Sequence, residues 1–321
     1  ELLDGRHTRS VDRYVMEHPS GTPFHETRWS DLVRTTFGFE TKTLVAWAGD
    51  EVRGVLPLNL VAAPITGRRL VSMPYGVYGG ILANDPESIG ALDEAACTLA
   101  RSLGVRYVET RYLGQGPTDH ASVNLYETYR KPLPEDPADV LGMIPRKARA
   151  EVRKCRKKFG ATLVEGEQLF DDYYELYCLN KRGLGSPVFR KSYFRRLLDL
   201  YGPRAVLHGL EADGRLMLVV LSLASNGVVY PYYSGSLPEA GRHGASNAMY
   251  AGLMEWGVEN GYHTFDFGRS RAGSGPASFK QHMGFEPQPL DYQFFFPFGG
   301  RPPRINPSNP SMKLPQQILR N

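Results

Sequence analysis

The chain is short of cysteine, of net charge and of long apolar runs. Cys97, Cys155 and Cys178 are its three cysteines in 321 residues. The number is odd and no pair has metal-ligand spacing, so neither a disulfide scaffold nor a metal site is expected, and a reducing cytoplasm fits best. No stretch approaches the roughly 18–20 consecutive apolar residues of a membrane span, which leaves at most peripheral contact at an inner membrane. Residues 1–12 lack the basic-then-apolar pattern of a signal peptide, while a start at Glu1 rather than Met leaves an upstream leader open. Gly-x-Ser-x-Gly, His-Glu-x-x-His and a paired Asp-x-Asp are all missing, which disfavours hydrolase and metalloenzyme chemistry.

What remains is globular in composition, 41% apolar and 22% charged, and long enough for two domains of roughly 150 residues. The net charge of +4 hides a cluster: residues 146–158 hold eight Lys/Arg and one Glu, leaving the rest of the chain at −3. Pro145 opens this segment as a helix start would, and Gly160 closes it. Apolar residues at 144, 148, 152, 155 and 159 form one narrow stripe. The other faces carry Arg146, Lys147, Arg149, Arg153, Lys154 and Lys157, too many like charges for one Glu to offset. A polyanion is the expected partner: nucleic acid, a diphosphate or an anionic membrane surface.

One order of elements occurs twice. In the first half a helix at 29–37 precedes alternating apolar runs at 44–48 and 52–61 around an Ala-Gly-Asp-Glu turn. A strand-like stretch at 69–81, a helix at 92–103 stopped by Gly104 and a strand at 105–111 follow. The second half repeats this with strands at 205–210 and 215–224 around Ala-Asp-Gly, a strand at 227–234, a helix at 247–259 stopped near Gly261, and a strand at 262–267. The two glycines are offset by 157 and the hairpin aspartates, Asp50 and Asp213, by 163. Near-equal offsets point to an internal duplication of an α+β unit. The segment 132–139, rich in Pro and acidic residues, reads as the junction. The expected division is 1–140, 141–298 and a proline-rich tail, 299–321.

Two further segments suit a ligand. Phe265-Asp266-Phe267-Gly268-Arg269-Ser270-Arg271 runs from a strand into a glycine-rich loop and then a helix from about Pro276, a junction whose N–H groups can cradle an anion. It is neither a Walker loop nor a dinucleotide fingerprint. Asp266 and Arg269 are candidates there, with a structural ion pair as the alternative. Tyr230-Pro231-Tyr232-Tyr233-Ser234-Gly235-Ser236 offers Tyr232 and Tyr233 for ring and hydroxyl contacts, against core packing. Asn247 opens the next helix, as ligand contact or as a cap.

These strings, with Phe279-Lys280-Gln281-His282-Met283-Gly284-Phe285 and Ile144-Pro145-Arg146-Lys147-Ala148-Arg149, resemble the Fem family of peptidyl and aminoacyl transferases, especially FemAB-related proteins of exopolysaccharide and protein-sorting systems. The resemblance spans most of 20–295 and is strongest over 230–286. It implies two tandem GNAT-like (acyl-CoA N-acyltransferase-like) domains. It also implies transfer of an acyl or aminoacyl group from aminoacyl-tRNA or acyl-CoA, without a tightly bound cofactor. The acceptor would be an amine on a peptidoglycan-type or polysaccharide precursor of the cell envelope. By the same resemblance Phe279 and Lys280 lie at the acceptor amine, Lys280 stabilising the tetrahedral oxyanion. Arg190, Tyr193, Tyr75 and Tyr78 would bind precursor. The chain lacks both the coiled-coil arm of some Fem enzymes and the Arg/Gln-x-x-Gly-x-Gly/Ala loop of ordinary GNAT enzymes. An acyl-CoA-dependent acyltransferase of a small molecule, or a non-catalytic module binding nucleic acid or polysaccharide, are the alternatives.

Overall fold

A computed structural model describes residues 1–63 and 67–302. They fall into two compact units, Glu1–Thr128 with Gln288–Pro303, and a second beginning Tyr129–Pro287. The expected contiguous cuts at 140 and 298 are thus displaced, because strand partners are not chosen by sequence order. A strand at 130–132 lies in the second unit's sheet and one at 288–295 in the first unit's. Most of the proline-rich tail lies outside the described residues.

In the first unit, α1 (Thr8–Glu17) and α2 (Thr27–Phe37) precede β1 (Glu40–Thr41), β2 (Leu44–Ala48), β3 (Glu51–Leu56), β4 (Asn59–Ala63), β5 (Gly67–Val71), β6 (Leu82–Ala83), α3 (Pro86–Ser102), β7 (Val108–Leu113) and β8 (Ala121–Thr128). β2, β3 and β6 form one small sheet. β1, β4, β5, β7 and β8 form another, with β16 (Gln288–Phe295) between β7 and β8. Pro57 splits the run expected as one strand: it lacks an N–H for the ladder, so β3 ends at Leu56 and β4 begins at Asn59 in the other sheet. α3 starts at an Asp85 cap that accepts from the Ser88 N–H, and buries Leu92, Ala96 and Ala100. α1, absent from the sequence reading, buries only Val11 and Val15.

The second unit comprises β9 (Arg130–Pro132), α4 (Val140–Met143), α5 (Arg146–Phe159), β10 (Thr162–Glu165), α6 (Phe170–Leu184), α7 (Lys191–Tyr201), β11 (Ala205–Ala212), β12 (Arg215–Ser225), β13 (Val228–Ser236), α8 (Ala240–His243), α9 (Ala245–Glu259), β14 (Thr264–Asp266), β15 (Ser270–Arg271) and α10 (Gly275–His282). Its sheet runs β10-β11-β12-β13-β14-β9. β12 is a near-continuous apolar run because both its faces are covered. Leu218 and Val220 join the core with α5 and α9. The β12–β13 hairpin turns on Asn226-Gly227, both at positive φ, the backbone a two-residue hairpin of this hand requires. α5 follows the sequence reading: Ala148, Val152 and Cys155 are buried, and left-handed Gly160 closes it. α6 and α7 were not anticipated.

Candidate active site

Each unit contains a parallel strand pair, and the candidate chemistry lies at the second. β13 pairs with β14 through Val228↔Thr264 and Val229↔Phe265, and the pairing stops there. β13 continues to Ser236 with a bulge against β12, where Leu221 faces Tyr233 and Ser222 faces Pro231, so Tyr232 is the extra residue. A bulge bends and twists its strand. The two strands therefore diverge just where the tyrosine string and the Asp266–Arg269 loop begin.

Asp266 is buried at the end of β14, accepts from the Gly268 N–H at 2.7 Å and pairs with Arg130 at 3.3 Å. Lys280, on α10, is 8% exposed. Its Nζ donates to the carbonyls of Phe267 at 2.9 Å, Gly268 at 2.7 Å and Arg269 at 3.4 Å, and lies 5.3 Å from the Tyr129 ring. An ammonium has three donors, so this set engages all of them. Burial pushes Lys280 down to about 8, against the pull of Asp266. Lys280, expected at the oxyanion, thus fixes the loop that follows β14.

Phe279 is half-buried, its ring 5.6 Å from Tyr250 and 6.4 Å from Phe267. The Tyr250 hydroxyl bonds Ser234 on β13, which ties this aromatic wall to the strand across the opening. Asn247 donates to Met283 Sδ at 3.2 Å, joining α9 to the end of α10; it lies inside α9 rather than capping it. Asp266, Lys280, Phe279 and Asn247 thus fall in one cluster. Arg269 is exposed beside it.

The other predicted residues gather elsewhere. Tyr193 and Tyr233 share a 2.8 Å hydroxyl hydrogen bond among Tyr177, Phe189 and Phe194. Loss of water raises the Tyr233 phenol well above its ordinary value, so it stays protonated. Tyr232 packs edge-on against Tyr233. Arg190 is exposed at the start of α7. Tyr75 and Tyr78 belong to the first unit, where the Tyr75 ring packs at a tilt against Phe37 at 4.4 Å and Tyr78 bonds Thr128 at 2.8 Å. On α5, Lys154 pairs with Glu151 and Arg156 with Glu255. Among the described residues Arg146, Lys147, Arg149, Arg153 and Lys157 have no ion-pair partner.

Residues 146–281 match the acetyltransferase (GNAT) domain family. The chain is similar in fold to the crystal structure of FemX, at 15% identity over 91% of this chain and 97% of that one, with a TM-score of 0.71. A tandem GNAT protein from the clavulanic acid biosynthesis pathway matches at 14% identity, 92% and 95% coverage and a TM-score of 0.57. The fold is a tandem pair of GNAT-like domains. The C-terminal domain of a lysylphosphatidylglycerol synthetase from Agrobacterium fabrum is also similar, at 15% identity, 90% and 91% coverage and a TM-score of 0.59. Among curated protein sequences no relative matches the chain. No helix among the described residues is long and apolar enough to cross a membrane.

Sequence reasoning missed Arg130, Tyr129 and Tyr250, which join this cluster. Arg130 opens β9, a strand no local pattern assigns to this sheet, and Tyr129 directly precedes it. Tyr250 reads as one more apolar position of α9.

Proposed function

We propose that this protein is a transferase that moves an activated acyl or aminoacyl group to an amine, using the second GNAT-like domain. The observation that carries the reading is the parallel pair β13–β14 opening after Val229 and Phe265, with bulged β13 on one side and the Asp266–Arg269 loop on the other. The acyl carbonyl lies along β13 beyond the bulge, where main-chain N–H groups polarise it and meet the oxyanion as the amine attacks. The leaving group departs with the electron pair of the broken acyl bond and takes up the proton that the attacking amine gives up. Lys280 acts by holding the loop and by its nearby positive charge, and Phe279 with Tyr250 walls off water. The unpaired cations of α5 bind the phosphates of the donor, aminoacyl-tRNA or acyl-CoA. The acceptor is an amine on an envelope precursor. Arg190, Tyr193, Tyr232 and Tyr233 are the proposed precursor-binding set of the second unit, and Tyr75 and Tyr78 are a separate candidate set in the first. The setting is cytoplasmic, with peripheral contact at the inner membrane.

The test is mass spectrometry of the purified protein supplied with acyl-CoA or charged tRNA and a panel of amines. An acylated or aminoacylated amine is expected with one donor class. RNA binding without product from either donor would instead make the protein a binding module.

A further inference from the structure

Three side chains of different chemistry converge in the first unit. α3 carries Asp93 and Cys97 four residues apart, hence on one face. His120, just ahead of β8, completes the group. Its Nε2 lies 2.9 and 3.0 Å from the two carboxylate oxygens of Asp93 and 4.0 Å from Cys97 Sγ. All three ligand atoms lie within 4.8 Å of one another. Phe295 backs the imidazole at 5.3 Å. Cys97 is buried, whereas the Asp93 and His120 side chains are 28% and 23% exposed.

We infer that Asp93, Cys97 and His120 form a three-ligand site for a divalent transition metal of the zinc type, with a fourth position facing solvent. One nitrogen, one sulfur and one oxygen suit zinc or cobalt and not the all-oxygen shells of magnesium or calcium. Tetrahedral zinc needs ligand separations of about 3.3 Å for N–O and about 3.6 Å for N–S. The observed N–O separations of 2.9–3.0 Å are shorter, and the N–S separation of 4.0 Å longer, than those values by about 0.4 Å, and the oxygen and sulfur lie within 4.8 Å of each other, so small side-chain shifts close the site. The metal replaces the Nε2 proton directed at Asp93 and the thiol proton, and binding releases both. Carboxylate, thiolate and neutral imidazole then balance the two positive charges.

The same residue types could suggest a thiol nucleophile with a His–Asp relay. That arrangement needs the thiol at one ring nitrogen and the carboxylate at the other. Here both face Nε2, which is the geometry of chelation. A cavity of about 460 Å³ lined by Asp119, His120, Ser122 and Asp291 gives solvent and metal access to the imidazole side.

The full chain, stripped with EDTA and dialysed, is titrated with Co²⁺ and followed by absorption. One Co²⁺ per chain should bind, with a thiolate-to-cobalt charge-transfer band and the intense visible bands of four-coordinate cobalt, and Zn²⁺ should displace it. Cys97→Ala should abolish the charge-transfer band, and Cys155→Ala and Cys178→Ser should retain it. His120→Gln, a surface-proximal change that keeps the helix intact, should weaken binding by at least tenfold, roughly the effect of disturbing a metal's supporting shell. A folded wild-type protein with no saturable band would overturn the site, as would a band that survives in Cys97→Ala or undiminished affinity in His120→Gln.

Discussion

Both units place a parallel strand pair at the same point of the repeat, and they finish it differently. In the first unit Leu70 faces Val108 and Val71 faces Glu109; in the second, Val228 faces Thr264 and Val229 faces Phe265. Past this point the first unit's chain stays on β7. Ser72 N–H bonds Glu109 O, and Gly80 N–H bonds Arg111 O. Between them Met73 and Tyr75 take positive φ, a strained backbone held by Arg111, which donates to Met73 O at 3.0 Å and Gly76 O at 2.6 Å and pairs with Glu109. Gly80 passes so close to Tyr112 that a Cβ there would sit 2.2 Å from the ring. In the second unit β13 instead runs on past the pair, and Lys280 holds the opposite loop. One element plan is closed by its own loop in one unit and left splayed in the other, which is why the chemistry is assigned to the second.

The largest expected effects break that contrast. Lys280→Ala should lower turnover by about 10²–10³-fold if the loop it holds forms part of the oxyanion environment. It should also cost about 2–3 kcal/mol in the second unit, because buried carbonyls lose their donors. Arg111→Ala should cost the first unit about 3–5 kcal/mol by stranding buried Glu109, with turnover per folded molecule unchanged. Denaturant titration alongside steady-state assays separates the two, and equal losses of turnover would end the assignment to one unit. Lys280 also leaves a pH signature. Its folded-state value, about 8, lies below its ordinary 10.5. Between these the unfolded chain holds the proton more tightly, so Lys280's contribution to stability rises with pH across that window. Lys280→Met should lack the rise.

Two buried histidines extend the comparison to acid. His25, in the first unit, is pushed down to about 3 by burial, while Thr22 Oγ1 lies 2.8 Å from its Nδ1. His208, in the second, is pushed down to about 4 by burial. It packs edge-on against Trp256 at 4.7 Å, and neither ring nitrogen makes a hydrogen bond among the described residues, Glu165 lying 3.4 Å away without alignment. Below the ordinary value of 6.5 the unfolded chain takes the proton first, so each histidine's stabilisation is full above 6.5 and falls as pH drops to its folded value. His208→Phe should remove up to about 3 kcal/mol of the second unit's acid sensitivity between pH 6.5 and 4. An unchanged acid-unfolding midpoint would mean that His208 is not the group responsible.

Much of this fold is written locally. Asn226-Gly227 and Asp213-Gly214 mark hairpins by chemistry that tolerates positive φ. The 3.6-residue periods of α3, α5 and α9 were legible, and the 157-residue offset lies within a residue of those between the observed strand pairs. The cluster of Asp266, Phe279 and Lys280 was legible as a string. What Lys280 does was not, because its carbonyl partners lie 11–13 residues away on a loop whose path no pattern fixes. The exchange of β9 and β16 between the units was hidden for a related reason: strand pairing is a long-range choice, and three residues such as Arg130–Pro132 carry no period. Asp93 and Cys97 sit at ordinary helix spacing, and His120 is remote in sequence.

The smallest expected effect concerns charge on α5, where neighbours differ in how they are held. Arg156 reaches Glu255 on α9 through two hydrogen bonds, 3.0 and 2.6 Å, and both partners are largely shielded from water. Lys157, next to it, is exposed. Arg156→Gln should therefore cost about 1 kcal/mol in stability and leave the salt dependence of RNA binding unaltered. Lys157→Gln should change stability by less than about 0.5 kcal/mol and lower the slope of log affinity against log salt by about 0.7, the value of one single-strand phosphate contact. If both substitutions leave the slope untouched, the free face of α5 is only a solvated surface. A slope lowered in Lys157→Gln and unchanged in Arg156→Gln makes the helix a phosphate-binding face held in place by one internal ion pair.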